Sequence, residues 1–278
     1  MANPYEARLL RVMEYIHDNP AGDLSLDALA DIAAMSRFHW HRVFHGMTGE
    51  TCADAVRRVR LHRAACWLVQ KDWPVAQVAE RCGYSNAASF ARAFRDGFGL
   101  TPAAFRRRGA LMSPRSHSQQ GEHAMYPVKI ETRPEGRMAA LPHIGPYMEI
   151  GGKFQALAAM FSSRGLWPQA RGMAGVYYDD PSAVAEAELR SHAGILVGAD
   201  FDMPDDMEDL PVSAGRVAVM TFKGPYSGLK AGYDYLYGVW LPESGQEPRD
   251  APAMEVYLND PTDTAPEDLL TEVCLPLK

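Results

Sequence analysis

The chain has 278 residues, 47% hydrophobic and 23% charged, a balance that excludes wholesale disorder and allows two ordinary domains. No window approaches the roughly eighteen apolar residues of a membrane span, and the opening "MANPYEARLL" lacks the order of a secretory signal, so a cytoplasmic compartment is expected. The net charge of −7 hides a division: residues 1–120 hold 16 Lys and Arg against 11 Asp and Glu, and residues 121–278 hold 12 against 24. A basic half followed by an acidic half suggests two tasks, one of them beside a polyanion. The four cysteines (Cys52, Cys66, Cys82, Cys274) form no Cys-x-x-Cys pair, which predicts free buried thiols rather than a disulfide scaffold or zinc ribbon.

In chain order, "YEARLLRVMEYIHDN" places Tyr5, Leu9, Val12, Met13 and Ile16 on one helical stripe. A second helix is expected from a cap at Ser25 through Leu26, Leu29, Ala30 and Ala33. "SRFHWHRVFHGMTG" then sets His41 and His45 four apart, on one helical face. A metal there would need further ligands, and none stands at a suggestive spacing.

A repeat gives these histidines their context. "LADIAAMSRFHWHRVFHGMTGET", from Leu29, aligns with "VAERCGYSNAASFARAFRDGFGLTP", from Val78. Ala34 falls on Gly83 and Ser36 on Ser85; after one inserted residue Arg42 falls on Arg92, Phe44 on Phe94, Gly49 on Gly99 and Thr51 on Thr101. Each copy reads as a short helix, a tight turn at Ala34 or Gly83, and a second helix opened by serine, which is helix-turn-helix grammar. The second copy keeps the arginine and the phenylalanine but none of the histidines, so polar residues facing DNA fit the pattern better than a metal site. Between the copies, "CADAVRRVRLHRAACWLVQKD" offers Ala55, Val56, Val59, Ala64, Cys66, Trp67 and Leu68 for burial, with Arg57, Arg58, Arg60 and Arg63 on its wetter sides.

These motifs, with the Gly-Tyr-Ser turn, Phe-Ala-Arg-Ala-Phe, Gly-Leu-Thr-Pro and a closing Phe-Arg, resemble the DNA-binding domain of AraC/XylS-type transcription regulators over residues 5–108. The resemblance implies that the second helix of each unit enters a major groove, about one helical turn of DNA apart. By position, Arg37, Phe38, His41 and Arg42 would reach DNA from the first unit, and Asn86, Ala88, Ser89 and Arg92 from the second. Arg42 and Arg92 suit guanine O6 and N7; the alternative for each is a phosphate contact or a solvated face. His39, Trp40, Phe44, Phe90 and Phe94 are expected to pack. The short side chains of the second reading helix predict weaker direct readout there, with more reliance on DNA shape.

"ALMSPRSHSQQGEHA", residues 110–124, has no apolar period and reads as a linker between a domain at 1–109 and one at 125–278. After it come strand-like runs: "YPVKIETRP", "GRMAALPHIG", "GMAGVYYDD", "HAGILVGADF", "GRVAVMTFKG", "AMEVYLND" and "TEVCLPLK", with helical runs between some of them. "RMAALPHIGPY" and "RVAVMTFKGPY" align without gaps at an offset of 79, each a strand, Gly-Pro-Tyr and a helix. The expected architecture is therefore multidomain: an all-α domain of two helix-turn-helix units joined by a long helix, then an α+β domain of two pseudo-twofold lobes with a cleft between them.

The carboxyl-terminal region resembles the GyrI-like ligand-binding domain, through its paired Gly-Pro-Tyr turns and the ending from Ala251. That resemblance implies an aromatic pocket whose floor carries a glutamate, by position Glu255. In "MEVYL", Glu255 and Tyr257 share one strand face, and a buried carboxylate needs a partner. A small, apolar, cationic effector held by Glu255 and the faces of Tyr147, Tyr226, Trp240 and Tyr257 would supply one. The alternatives are a solvated edge-strand Glu and plain core packing of the aromatics; Trp167 and Tyr177 are rim or core candidates. "GPYMEIGGKF" fails as a phosphate loop, no Gly-x-Ser-x-Gly or His-Glu-x-x-His occurs, and Asp179-Asp180 and Asp205-Asp206 read as loop carboxylates.

The reading is a sequence-specific transcription regulator that answers to a small molecule. Its expected partners are promoter DNA, the effector and RNA polymerase. No cofactor, no metal, no membrane and no enzymatic activity are expected, and a monomer suffices because one chain carries both reading units. Two alternatives stand beside it: a small-molecule hydrolase or sequestering protein tethered to DNA, with the pocket glutamate as base, and a protein-binding module of gyrase-inhibitor type.

Overall fold

The structure is a computed structural model that describes residues 3–109 and 125–278. The expected linker, 110–124, lies outside the described residues. Backbone contacts divide the chain into two units, one of Met1–Arg37 with Thr48–Gly121 and one of Phe38–Met47 with Glu122–Lys278.

The first unit is helical. α1 (Pro4–Asp18) starts at Asn3, whose side chain accepts from the Tyr5 amide, and it buries Tyr5, Val12 and Ile16. α2 (Leu26–Ala33) starts at Ser25, whose hydroxyl accepts from the Ala28 amide, as the sequence predicts. It ends at Ala34 with φ 52° and ψ 48°, a left-handed conformation that an L side chain adopts only at a cost. Gly83, with φ 77°, makes the matching turn after α5 (Val75–Arg81) without that cost. α3 (Arg37–Thr48), whose Phe38–Met47 belong to the second unit, follows the first turn, and α6 (Ala87–Phe98) the second. Asn86 rather than Ser85 caps α6: its carboxamide oxygen accepts from the Ser89 amide at 2.7 Å.

α4 (Cys52–Gln70) is the long helix between the repeats, and α7 (Pro102–Arg108) closes the unit. Leu61, Ala64 and Leu68 of α4 meet Val78 and the phenylalanines of α6 and α7 in one core. Phe94 sits amid Phe90, Phe98 and Phe105 with ring centroids 4.6–5.6 Å away. Arg106 fixes α7 by donating to the carbonyls of Leu68 and Trp73 at 3.2 and 2.6 Å. Cys52, Cys82 and Cys274 are buried free thiols, while Cys66 is partly exposed.

The second unit is built on one eight-stranded antiparallel sheet. Its strands are β1 (Val128–Arg133), β2 (Gly136–Ile144), β3 (Ala170–Tyr177), β4 (Arg190–Val197), β5 (Glu208–Val212), β6 (Gly215–Lys223), β7 (Ala253–Tyr257) and β8 (Leu270–Pro276), in the order β1-β6-β8-β7-β3-β4-β2-β5. β5 is the strand that the sequence patterning does not announce. It is a short edge strand containing Pro211, a residue that sheets tolerate at an edge.

The duplicated Gly-Pro-Tyr turns end β2 and β6. Gly145 and Gly224 adopt φ 131° and 139° and donate to the carbonyls of Leu189 and Leu269 at 2.9 Å each. After them run α8 (Gly151–Ser163) and α9 (Leu229–Tyr235). The duplication continues beyond the turns. Asp180 accepts from the Ser182 amide and hydroxyl, and Asp260 does the same for Thr262. α9 passes into a π-helical stretch, Leu236–Trp240, before α10 (Leu241–Ser244).

β3 and β7 are neighbours in the middle of the sheet, where the two lobes meet, with Gly175 opposite Glu255. One sheet face packs Met138, Ala140, Ala174 and Val176 with Met254 and Val256. On the other, Leu157 and Phe161 of α8 cover Ala139, Ala193, Ile195 and Tyr177.

Candidate functional site

α6, the second helix of the second repeat, carries the four side chains that the resemblance expects to face DNA there. Asn86, Ala88, Ser89 and Arg92 are all exposed, whereas Phe90 and Phe94 of the same helix are fully buried. The helical period thus separates a packing face from an outward face along α6.

α3, the corresponding helix of the first repeat, is placed differently. Arg37 is exposed and Phe38 half-buried, but His39, Trp40, His41 and Phe44 are buried and Arg42 is partly buried. His39 sits with Tyr237, its Nδ1 3.0 Å from the Tyr237 hydroxyl and its Nε2 2.9 Å from the Arg249 carbonyl. A carbonyl can only accept, so Nε2 carries the proton and Nδ1 accepts from the tyrosine. Burial pulls the His39 imidazole down to about 4, so it stays neutral at ordinary pH. His41 Nδ1 lies 2.9 Å from Asp180 Oδ2. The guanidinium of Arg42 donates to the Asp179 carbonyl at 2.8 Å and lies 4.5 Å over the ring of Tyr233 and 5.5 Å from that of Tyr237. Asp180 is held below the usual carboxylate range: burial works the other way, but the His41 hydrogen bond and the Arg42 charge outweigh it. Among the described residues no three His, Cys, Asp or Glu side chains are grouped to hold a metal ion.

Glu255 is the centre of the second cluster. It is 5% exposed, on β7 in the middle of the sheet. The hydroxyls of Tyr233 and Tyr257 donate to its two oxygens at 3.0 Å each. The Tyr257 hydroxyl is also 2.7 Å from that of Tyr177. Aromatic rings close the surroundings, with Tyr226 and Phe154 edge-on to Tyr257 at 5.5 and 5.4 Å, and Tyr147 against Tyr177 at 4.8 Å. Burial pushes the Glu255 carboxyl up to about 7, against the two tyrosine hydrogen bonds and the charge of Arg42, which pull it down.

The structure therefore brings Glu255, Tyr257 and Tyr226 together and joins Tyr147 to them through Tyr177. Tyr147 also spans the loop after β3: its hydroxyl accepts from the Asp179 amide at 2.9 Å and shares its proton between the Asp179 and Arg190 carbonyls, 3.0 and 3.1 Å away. Trp240, the remaining aromatic expected beside Glu255, is half-buried at the end of the π-helical stretch. Tyr233 and Phe154 are the residues sequence reasoning missed. The carboxylates of the loop are engaged structurally, Asp179 with Arg190 at 2.6 Å and Asp206 with Arg164 at 2.6 Å.

Gly175 makes room for the tyrosine pair. A Cβ there would stand 2.9 Å from the Tyr177 ring and 3.0 Å from the Tyr257 hydroxyl. Gly175→Ala is expected to force the pair apart and destabilise the second unit by about 1–3 kcal/mol. Thermal unfolding measures this, and an unchanged Tm would mean that the tyrosines yield freely.

Comparison with known proteins matches two regions of the chain. Residues 126–278 match the model of the GyrI-like small molecule binding domain, and residues 29–108 that of a helix-turn-helix domain. A bifunctional transcriptional activator/DNA repair enzyme, AdaA of Bacillus subtilis, is 36% identical over 100 residues, 36% of this chain and 47% of that protein. A probable transcription factor of Proteus vulgaris, PqrA, is 35% identical over 88 residues, 32% of this chain and 72% of that protein. A DNA gyrase inhibitor of Yersinia enterocolitica is 28% identical over 136 residues, 47% of this chain and 85% of that protein. The chain thus spans less than half the length of the Bacillus relative. The buried glutamate among tyrosines lies inside the larger matched region, and the two aligned helical repeats fall in the smaller: the chain belongs to the GyrI-like small molecule binding family, with a helix-turn-helix domain ahead of it.

Proposed function

We propose that the protein is a sequence-specific DNA-binding transcription regulator whose GyrI-like domain binds a small, apolar organic cation at Glu255. The observation that carries the reading is one chain holding both an exposed reading helix, with Arg92 on its outer face, and a buried carboxylate ringed by tyrosines. The first suits a polyanion with base edges to read. The second suits a cation able to lie against aromatic faces while its charge meets Glu255. Promoter DNA, the effector and RNA polymerase are its partners, and a monomer is enough to address two successive major grooves.

Selection from a pool of random duplexes at moderate salt tests the DNA half of the proposal. A recurrent site is the expected result, covering the segment that the exposed α6 can reach and extending to a second, about one helical turn away, where α3 is also free. Recovery of no preferred sequence would refute sequence-specific regulation.

A further inference from the structure

α3 is the helix that the resemblance assigns to DNA, yet over Phe38–Met47 it packs as part of the second unit. Its Arg42 is the counterpart of Arg92, which is exposed on α6. Arg42 instead stacks its guanidinium over Tyr233, and the hydroxyl of that same tyrosine donates to Glu255. One aromatic ring therefore serves both a built-in planar cation and the carboxylate proposed to hold the effector.

The seat of the helix is specific. His39 and His41 bond to Tyr237, the Arg249 carbonyl and Asp180. The backbone of α3 crosses the π-helical stretch at Gly46 and Gly238, so close that a Cβ on Gly238 would stand 2.6 Å from the Gly46 backbone. Such an approach requires glycine on both sides.

Resting on the proposal that Glu255 receives an effector cation, we infer that Arg42 is an internal ligand of the effector site, and that a flat amidinium- or guanidinium-type cation displaces it and frees α3 for DNA. A second cation drawn to Glu255 and the tyrosine faces must share Tyr233 with Arg42 and sits beside a like charge. The two occupancies oppose each other. By linkage, the factor by which the cation loosens α3 equals the factor by which seated α3 weakens the cation. Such a device would make the first reading helix available only when effector is present, while α6 remains exposed in either state.

The test uses the full chain with benzamidinium as probe and benzamide as its neutral isostere, in the wild type and in two variants. Arg42→Ala removes the internal cation; Gly238→Ala unseats α3 while leaving every charged group in place. Calorimetry should show both variants binding benzamidinium at least tenfold more tightly than wild type. Hydrogen exchange should show the probe accelerating the amides of residues 43–47 in wild type by a similar factor. Equal binding by all three proteins, with no change in exchange, would overturn the inference while leaving the cation site standing. Absence of benzamidinium binding to every form would overturn the cation site and this inference with it.

Discussion

A lipophilic organic cation is expected to bind the chain at least tenfold more tightly than its neutral isostere, and Glu255→Gln is expected to erase that preference. The carboxylate is 5% exposed, and its hydrogen-bond partners are two tyrosine hydroxyls rather than a formal positive charge in direct contact. A charge in that setting is costly to hold alone. A cation lowers the cost and gains the tyrosine faces, worth about 2 kcal/mol when desolvated, or roughly thirtyfold in affinity. Gln keeps the shape and an acceptor for one tyrosine but removes the charge, so the neutral isostere should bind both proteins equally.

The same experiment has a pH axis with a definite sign. Burial raises the Glu255 carboxyl to about 7, from an ordinary 4.5. Below that pH the site is neutral, so cation affinity should fall as pH drops from 8 to 6, while the neutral isostere and Glu255→Gln show no such slope. In the free protein the sign for stability is the reverse of a paired carboxylate. The folded form holds the proton more tightly than the unfolded one, so this group's contribution is fully present at low pH and is lost as pH rises through about 7. Equal binding of cation and isostere, or a preference flat in pH, would remove Glu255 as the counter-ion.

Much of this molecule is legible in the sequence because its repeats carry geometry. Ala34 aligned with Gly83 predicts two tight turns, and both residues take a left-handed conformation there. The alternation in "MEVYL" puts Glu255 and Tyr257 on one face, and the tyrosine hydroxyl bonds the carboxylate. The offset that pairs the Gly-Pro-Tyr turns also leads, one residue longer, from Tyr257 back to Tyr177 and from Asp260 back to Asp180. Following the repeat past the turns would have brought Tyr177 into the site.

The π-helical stretch Leu236–Trp240 is invisible to local periodicity, because a single widened turn leaves the apolar pattern around it intact. The engagement of α3 had no signal within reach of pattern reading. Arg42 meets Tyr233 across nearly two hundred residues of chain, and a partner that distant leaves no trace in local periodicity. The Asn86 cap is a smaller case, since serine and asparagine compete at adjacent positions and both make good caps.

Arg92→Ala is expected to weaken binding to the selected duplex by about 1–3 kcal/mol, roughly 5- to 150-fold. Arg92 stands exposed on α6, on the opposite side from Phe90 and Phe94, which anchor the helix in the core. Its neighbours toward the start of the helix, Ala88 and Ser89, are short, and the Asn86 oxygen is engaged as the helix cap. The guanidinium is therefore the long donor nearest the start of this face, with Arg95 exposed one turn further on, and a bidentate contact to a guanine edge depends on its planar fork. Arg92→Lys separates that role from a phosphate contact: an ammonium can still neutralise a phosphate but cannot reproduce the fork. If Arg92 reads a base, Lys should restore little of the lost affinity, and preference should relax at one base pair of the second segment. If it binds phosphate, Lys should restore most of it, discrimination among sequences should be unchanged, and the salt dependence should shrink by about one counterion for the Ala variant. Binding curves on the selected duplex and its single-base variants, at two salt concentrations, decide between them. A loss that is uniform over all sequences would take base reading away from Arg92 and leave the second segment to be recognised by DNA shape.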